Sequence, residues 1–224
     1  MLGVFGDSYA IYVESKSWNS MFEQNYKIKN YAKSGTSIWN AYKKFLVQYK
    51  NLKQVIFCYS YPHRIYHLPK ELEQYMFIKA PSHELLNHLN HLVDSDISIL
   101  KLITEAAEYT NDEQLDMFIY QHVFNEINRI CRMNEINLIN LMPFEGVTDN
   151  NVSIDISSAS GTCIIGLQWV SENENNKDYV GVDSRICHLS DTNNKRLYYI
   201  VWKALEKNDN ILINLKDKKF KWEK

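Results

Sequence analysis

Leu2-Gly3-Val4-Phe5 is an unbroken apolar run stopped by Gly6-Asp7-Ser8. A short apolar run that ends in turn residues reads as a buried strand entering a loop. Residues 17–24 carry a helical spacing, and residues 26–32 alternate as a strand does. Ser37 precedes Ile38, Tyr42, Phe45 and Leu46, which recur at helical intervals. Ser37 is therefore predicted to cap an amphipathic helix. Residues 54–60, Gln-Val-Ile-Phe-Cys-Tyr-Ser, are apolar and β-rich and predict a buried strand. The first 60 residues thus read β-α-β-α-β, a pattern that calls for right-handed crossovers and a parallel sheet between helices.

Residues 82–132 differ, being mostly long helical patterns with a break near Asn111-Asp112. Residues 136–142 predict another strand, and residues 162–170 an apolar segment close to the sheet. Residues 190–205 close as a helix with Leu197, Ile200, Val201 and Leu205 on one face, and residues 211–213 predict a final strand. The Lys-rich last eight residues read as a solvated tail. Neither an internal repeat nor a Pro/Gly/Ser linker divides the chain. The expectation is a single α/β domain over residues 1–224, a three-layer sandwich with a mainly parallel central sheet. A helical insertion at about residues 66–132 is expected at the sheet edge, as a lid or a dimer surface that would make a homo-oligomer.

Composition narrows the function more than the fold. With 224 residues, 45% of them hydrophobic, the chain can build a core without metal or disulfide support. A net charge of −2 leaves no electrostatic footprint for nucleic acid or an anionic membrane. No stretch approaches the ~20 apolar residues of a membrane span. The N-terminus lacks the basic and apolar regions of a signal peptide. Cys58, Cys131, Cys163 and Cys187 contain no C-x-x-C pair, which argues against a zinc ribbon. The expected location is the cytoplasm, or the host cytoplasm or virion should the source be viral. The 23 asparagines against 7 glycines fit an AT-rich coding bias.

Three loops carry candidate chemistry, each where a parallel sheet builds its sites. They are Gly6-Asp7-Ser8 after the first strand, Ser34-Gly35-Thr36 after the second, and residues 183–190 (Asp-Ser-Arg-Ile-Cys-His-Leu-Ser) before the last helix. Taken singly, Ser8 is a fitting helix cap, Gly35 a turn residue and His188 a structural histidine. Taken together and in this order, they resemble the SGNH, or GDSL-type, hydrolase family over residues 3–205. The resemblance implies an SGNH-hydrolase-like, flavodoxin-like fold. It also implies hydrolysis of an ester, an acyl or acetyl group on a carbohydrate or other small alcohol, with no cofactor and no metal. Ser8 would be the nucleophile, His188 the base and Asp183 its orienting acid. Gly35 would be an oxyanion donor, with Asp7 beside the nucleophile.

The sequence departs from the family at two places. Arg185 stands three residues before His188, where the family places its acid, and Asp183 lies five before. Asp183 either orients the imidazole from a differently bent loop or pairs with Arg185. Residues 59–64, Tyr-Ser-Tyr-Pro-His-Arg, lack the family's third-strand asparagine. Ser60 is the best substitute, with His63 and Arg64 able to project into the site. The rival reading is a catalytically weak or inactive binding or structural module of the same fold. His83 and His88 mimic a zinc helix, but i, i+5 spacing sets the rings about 140° apart, too far to chelate one ion. Tyr9, Trp39 and Tyr61 are candidate groove-lining aromatics.

Overall fold

The computed structural model describes residues 1–11, 17–33, 36–60, 113–143, 148–149, 152–167, 189, 191–207 and 209–216. Side chains alternate across the strands, so each strand feeds two cores. In β1 (Leu2–Phe5), Leu2 and Val4 join one apolar cluster and Phe5 the other. In β3 (Gln54–Cys58), Val55 and Phe57 lie with Phe5, and Ile56 and Cys58 with Val4. The same division runs through β4 (Asn137–Leu141) and β7 (Thr162–Ile165). Burial on both faces explains why these strands read as continuous apolar runs rather than as alternations.

With β2 (Ile28–Asn30) and β8 (Leu212–Asn214), these strands form a six-stranded sheet in the order β2-β1-β3-β4-β7-β8, every neighbour parallel. Phe5 sits opposite Phe57, and Phe57 opposite Asn140. A separate two-stranded ribbon pairs β5 (Thr148–Asp149) with β6 (Val152–Ser153), and the sequence pattern did not reveal it.

One face of the sheet is covered by α1 (Ile38–Gln48) and α2 (Glu113–Met133). As expected, Ser37 caps α1, its Oγ accepting from the Asn40 N–H at 3.3 Å. The other face is covered by α3 (Asp191–Lys207) and a 3-10 turn, Ser20–Gln24. This is a three-layer α/β arrangement.

Two expectations need correcting. Residues 17–24 are helical only over Ser20–Gln24, and there as a 3-10 turn. Ser17 Oγ, Ser20 Oγ and Asn19 Nδ2 all bond nearby groups, the last reaching the Ala10 carbonyl, and such bonds compete with an α-helical start. Of the segment expected as an insertion, residues 113–132 belong to α2, whose Tyr120, Val123, Phe124, Ile127 and Cys131 are buried against the sheet. These residues cover a face of the sheet rather than its edge. A parallel connection from β3 to β4 needs a crossover helix, and α2 is that helix. Residues 66–112 lie outside the described residues.

Candidate functional site

The chain runs from β1 to β2 on one side of the sheet, then crosses to β3 on the other. The strand order therefore reverses at β1, and parallel sheets build their sites beyond the carboxyl ends of the strands at such a switch point. Gly6 brings the ends of β1 and β3 close together there. Its φ is +137°, and a Cβ there would collide with the carbonyl oxygen and Cβ of Cys58. Only glycine lets the two strand ends approach so closely.

Asp7, 1% exposed, follows at once. Its Oδ1 accepts from the Tyr9 N–H at 3.1 Å and its carbonyl from the Ala10 N–H at 3.0 Å. These bonds fold Ser8–Ala10 into a 3-10 turn that Ser8 opens. The Ser8 side chain is outside the description. The Ala10 carbonyl also accepts from Asn30 Nδ2 at 2.7 Å, which moors the turn to the end of β2.

The second loop is tied to the first. Beyond β2, Tyr31 N–H donates to the Val4 carbonyl at 2.8 Å and Lys33 N–H to the Gly6 carbonyl at 3.1 Å. Thr36 N–H donates back to the Lys33 carbonyl at 3.2 Å, so the residues on either side of positions 34 and 35 are bonded to each other. Gly35 itself lies outside the described residues.

Beyond β3, Tyr59 N–H continues the ladder to the Leu141 carbonyl at 2.8 Å. Ser60 comes next, 2% exposed, its hydroxyl without a hydrogen-bond partner among the described residues. A buried hydroxyl left unpaired costs about 1–3 kcal/mol. Arg64, Tyr61 and His63 lie outside the described residues.

Of the third segment Leu189 is described, and it leads into α3. α3 starts near the carboxyl ends of the strands and ends near their amino ends, where Asn137 Nδ2 donates to the Leu205 carbonyl at 2.9 Å. Leu189, the residue after His188, and Tyr9, the residue after Ser8, both pack against the same apolar cluster. Its carbonyl accepts from Asn194 Nδ2 at 2.9 Å, and Asn194 Oδ1 accepts from the Trp18 N–H at 2.9 Å. Trp18 Nε1 donates in turn to the Tyr9 carbonyl at 2.8 Å. His188, Asp183 and Arg185 lie outside the described residues.

Other reactive groups are quieted by their surroundings. Burial pushes the Cys131 thiol up to about 12 and the Cys163 thiol up to about 11. Neither is a thiolate nucleophile near neutral pH. Burial also holds the Tyr59 phenol well above its usual range. Among the described residues, no three His, Cys, Asp or Glu side chains converge to hold a metal ion, and no helix is long and apolar enough to cross a membrane.

The sequence reading missed a buried polar network under α2. Tyr59 Oη donates to Asn140 Oδ1 at 2.9 Å, and Asn140 Nδ2 to Asn128 Oδ1 at 3.1 Å. Asn128 Nδ2 donates to the Phe124 carbonyl at 2.8 Å, and its Oδ1 accepts from the Ser160 N–H at 2.9 Å. A signal was present: Asn137 and Asn140 interrupt both faces of a strand that otherwise reads fully apolar, and each buried amide needs a partner. The chain matches no known protein-family model and no curated protein.

Proposed function

We propose that the protein is a serine hydrolase of the SGNH type, cleaving an acyl or acetyl ester of a carbohydrate or other small alcohol. The observation that supports this most is that described neighbours of the three motifs are joined by hydrogen bonds beyond the carboxyl ends of β1 and β2. Lys33 is bonded to Gly6, and Leu189 is linked through Asn194 and Trp18 to Tyr9.

In this reading the Ser8 hydroxyl attacks the ester carbonyl while the His188 imidazole takes its proton, and Asp183 holds the ring in the correct tautomer. The oxyanion is met by the Ser8 and Gly35 backbone N–H groups and by the Ser60 hydroxyl, where the family uses an asparagine. Each such donor is worth ~3 kcal/mol of transition-state stabilisation. Protonated His188 then delivers its proton to the leaving alcohol, and a water activated by the same imidazole releases the acyl group from Ser8. No metal or organic cofactor takes part. The substrate is a small molecule or a glycan ester, and the family fold is the SGNH variety of the observed α/β architecture.

A fluorophosphonate probe tests the reading, because it reacts only with an activated serine. Wild type is expected to be labelled at Ser8, and Ser8→Ala and His188→Ala are not. A panel of p-nitrophenyl esters and acetylated sugars then identifies the acyl group. Failure of wild type to label, with no ester turned over, would sink the hydrolase reading and leave the binding or structural module standing.

A further inference from the structure

The structure assigns Asn194 a positioning role: together with Trp18, it forms a strut that ties Leu189, next to His188 in sequence, to Tyr9, next to Ser8. The inference rests on the hydrolase reading, but it is carried by residues that reading does not use.

Three hydrogen bonds make the strut. Asn194, in the first turn of α3, donates from Nδ2 to the Leu189 carbonyl at 2.9 Å and accepts on Oδ1 from the Trp18 N–H at 2.9 Å. Trp18, 1% exposed, passes the connection on through its indole N–H to the Tyr9 carbonyl at 2.8 Å. One end of this chain lies one residue from His188 and the other one residue from Ser8. The two are 180 positions apart in sequence, so no local element can hold them in register.

The chemistry of the linking groups suits the task. A primary amide donates and accepts at once, so one side chain clasps two backbone segments. The indole is rigid, and it is fixed by edge contact with Phe22 at 6.3 Å and by burial in the cluster that holds Leu197 and Val201. A strut built from a rigid, buried ring transmits position rather than absorbing it. Proton transfer from a serine to an imidazole demands hydrogen-bond reach of about 2.6–3.2 Å, and a displacement of about 1 Å in either loop removes it. α3 is also fastened at its far end by Asn137 and along its length by the apolar cluster, so the Asn137 bond serves as a matched control.

The matched comparison is between Asn194→Ala and Asn137→Ala. Each removes an amide that donates to a carbonyl of the α3 segment, one at the site edge and one at the opposite edge. Two quantities are measured on the full chain: the rate of fluorophosphonate labelling at Ser8, and hydrogen exchange at the Ala10 amide, which is bonded to Asp7 within the turn. The expected result is that Asn194→Ala slows labelling about tenfold or more and speeds Ala10 exchange. Asn137→Ala, with a comparable loss of Tm, is expected to leave both unchanged. Trp18→Phe, which keeps an aromatic ring but removes the indole donor to Tyr9, is read the same way should Asn194→Ala fail to fold. Labelled wild type with Asn194→Ala behaving as Asn137→Ala would overturn the strut alone. Wild type that does not label would overturn the hydrolase reading, and the catalytic meaning of the strut with it.

Discussion

Beneath α2, Asn128 and Asn140 close on each other, on Tyr59 and on the Ser160 backbone, and all four groups lie in the interior or at its margin. On the α3 side, Asn19, Asn30 and Asn194 send their amides to the carbonyls of Ala10 and Leu189, in loops at the carboxyl edge. The same side chain thus serves two ends. A buried amide that meets another buried amide fixes how a helix sits on a sheet, since any other register leaves polar groups unpaired. An amide that meets a loop carbonyl fixes the loop and leaves the helix register to apolar packing. The first face holds a helix in register, and the second holds loops at the carboxyl edge.

Gly6 joins the two regions, so its substitution should have the largest effect. Gly6→Ala forces a side chain into a φ of +137° and against the Cys58 carbonyl. The strain and the overlap together are expected to cost roughly 4 kcal/mol, read as a shift of the urea midpoint, and to abolish probe labelling. A stable, labelled Gly6→Ala protein would show that the close approach of β1 and β3 is dispensable.

Asn140→Ala separates the faces. It leaves the Tyr59 hydroxyl and the Asn128 amide without their partner, at a cost of about 3 kcal/mol in urea unfolding. The labelling rate of the remaining folded protein is expected to stay within about twofold of wild type. A tenfold drop would mean that the α2 face also serves the site.

Alkaline pH tests how dry the α2 face is. Cys131 and Cys163 are raised by burial from 9.0 to about 12 and about 11. In the unfolded chain the thiols ionise near pH 9 and in the folded chain they do not, so the folded state binds more protons above that pH. Their contribution is therefore complete below pH 9 and is lost as pH climbs toward 11–12, by roughly 1 kcal/mol per pH unit for each thiol. Urea midpoints at pH 8, 9 and 10 should fall less steeply for Cys131→Val than for wild type. Parallel curves would mean that the thiol is wet.

The smallest effect is expected on the outer surface of α2. Glu126 bonds Arg129 at 2.8 Å, and this hydrogen bond holds its carboxyl below the usual range. The lowered value places its contribution above the ordinary Glu range, to be lost as pH falls through the folded value. The pair is exposed, so Glu126→Gln should shift the urea midpoint barely above detection, and not at all in 1 M salt. A larger shift would mark this surface as more than a solvated face.

Local pattern determined much of this architecture. The apolar runs at residues 2–5, 54–58, 137–141 and 162–165, the Ser37 cap and the final helix were all legible, because a buried parallel strand and an amphipathic helix carry their burial in their own residue order. The doubly wound alternation also followed, since parallel neighbours require crossovers. What only the tertiary structure decided was pairing across distance. The role of α2 as the β3–β4 crossover was masked by its continuity with the helical pattern that precedes it. The 3-10 form of Ser20–Gln24 depends on a carbonyl at Ala10, and the closure of Asn140 on Asn128 depends on where a helix lands. The bracing of Leu189 to Tyr9 joins residues 180 positions apart. A side-chain amide looks the same in sequence wherever its partner lies, and the partner is chosen by the fold.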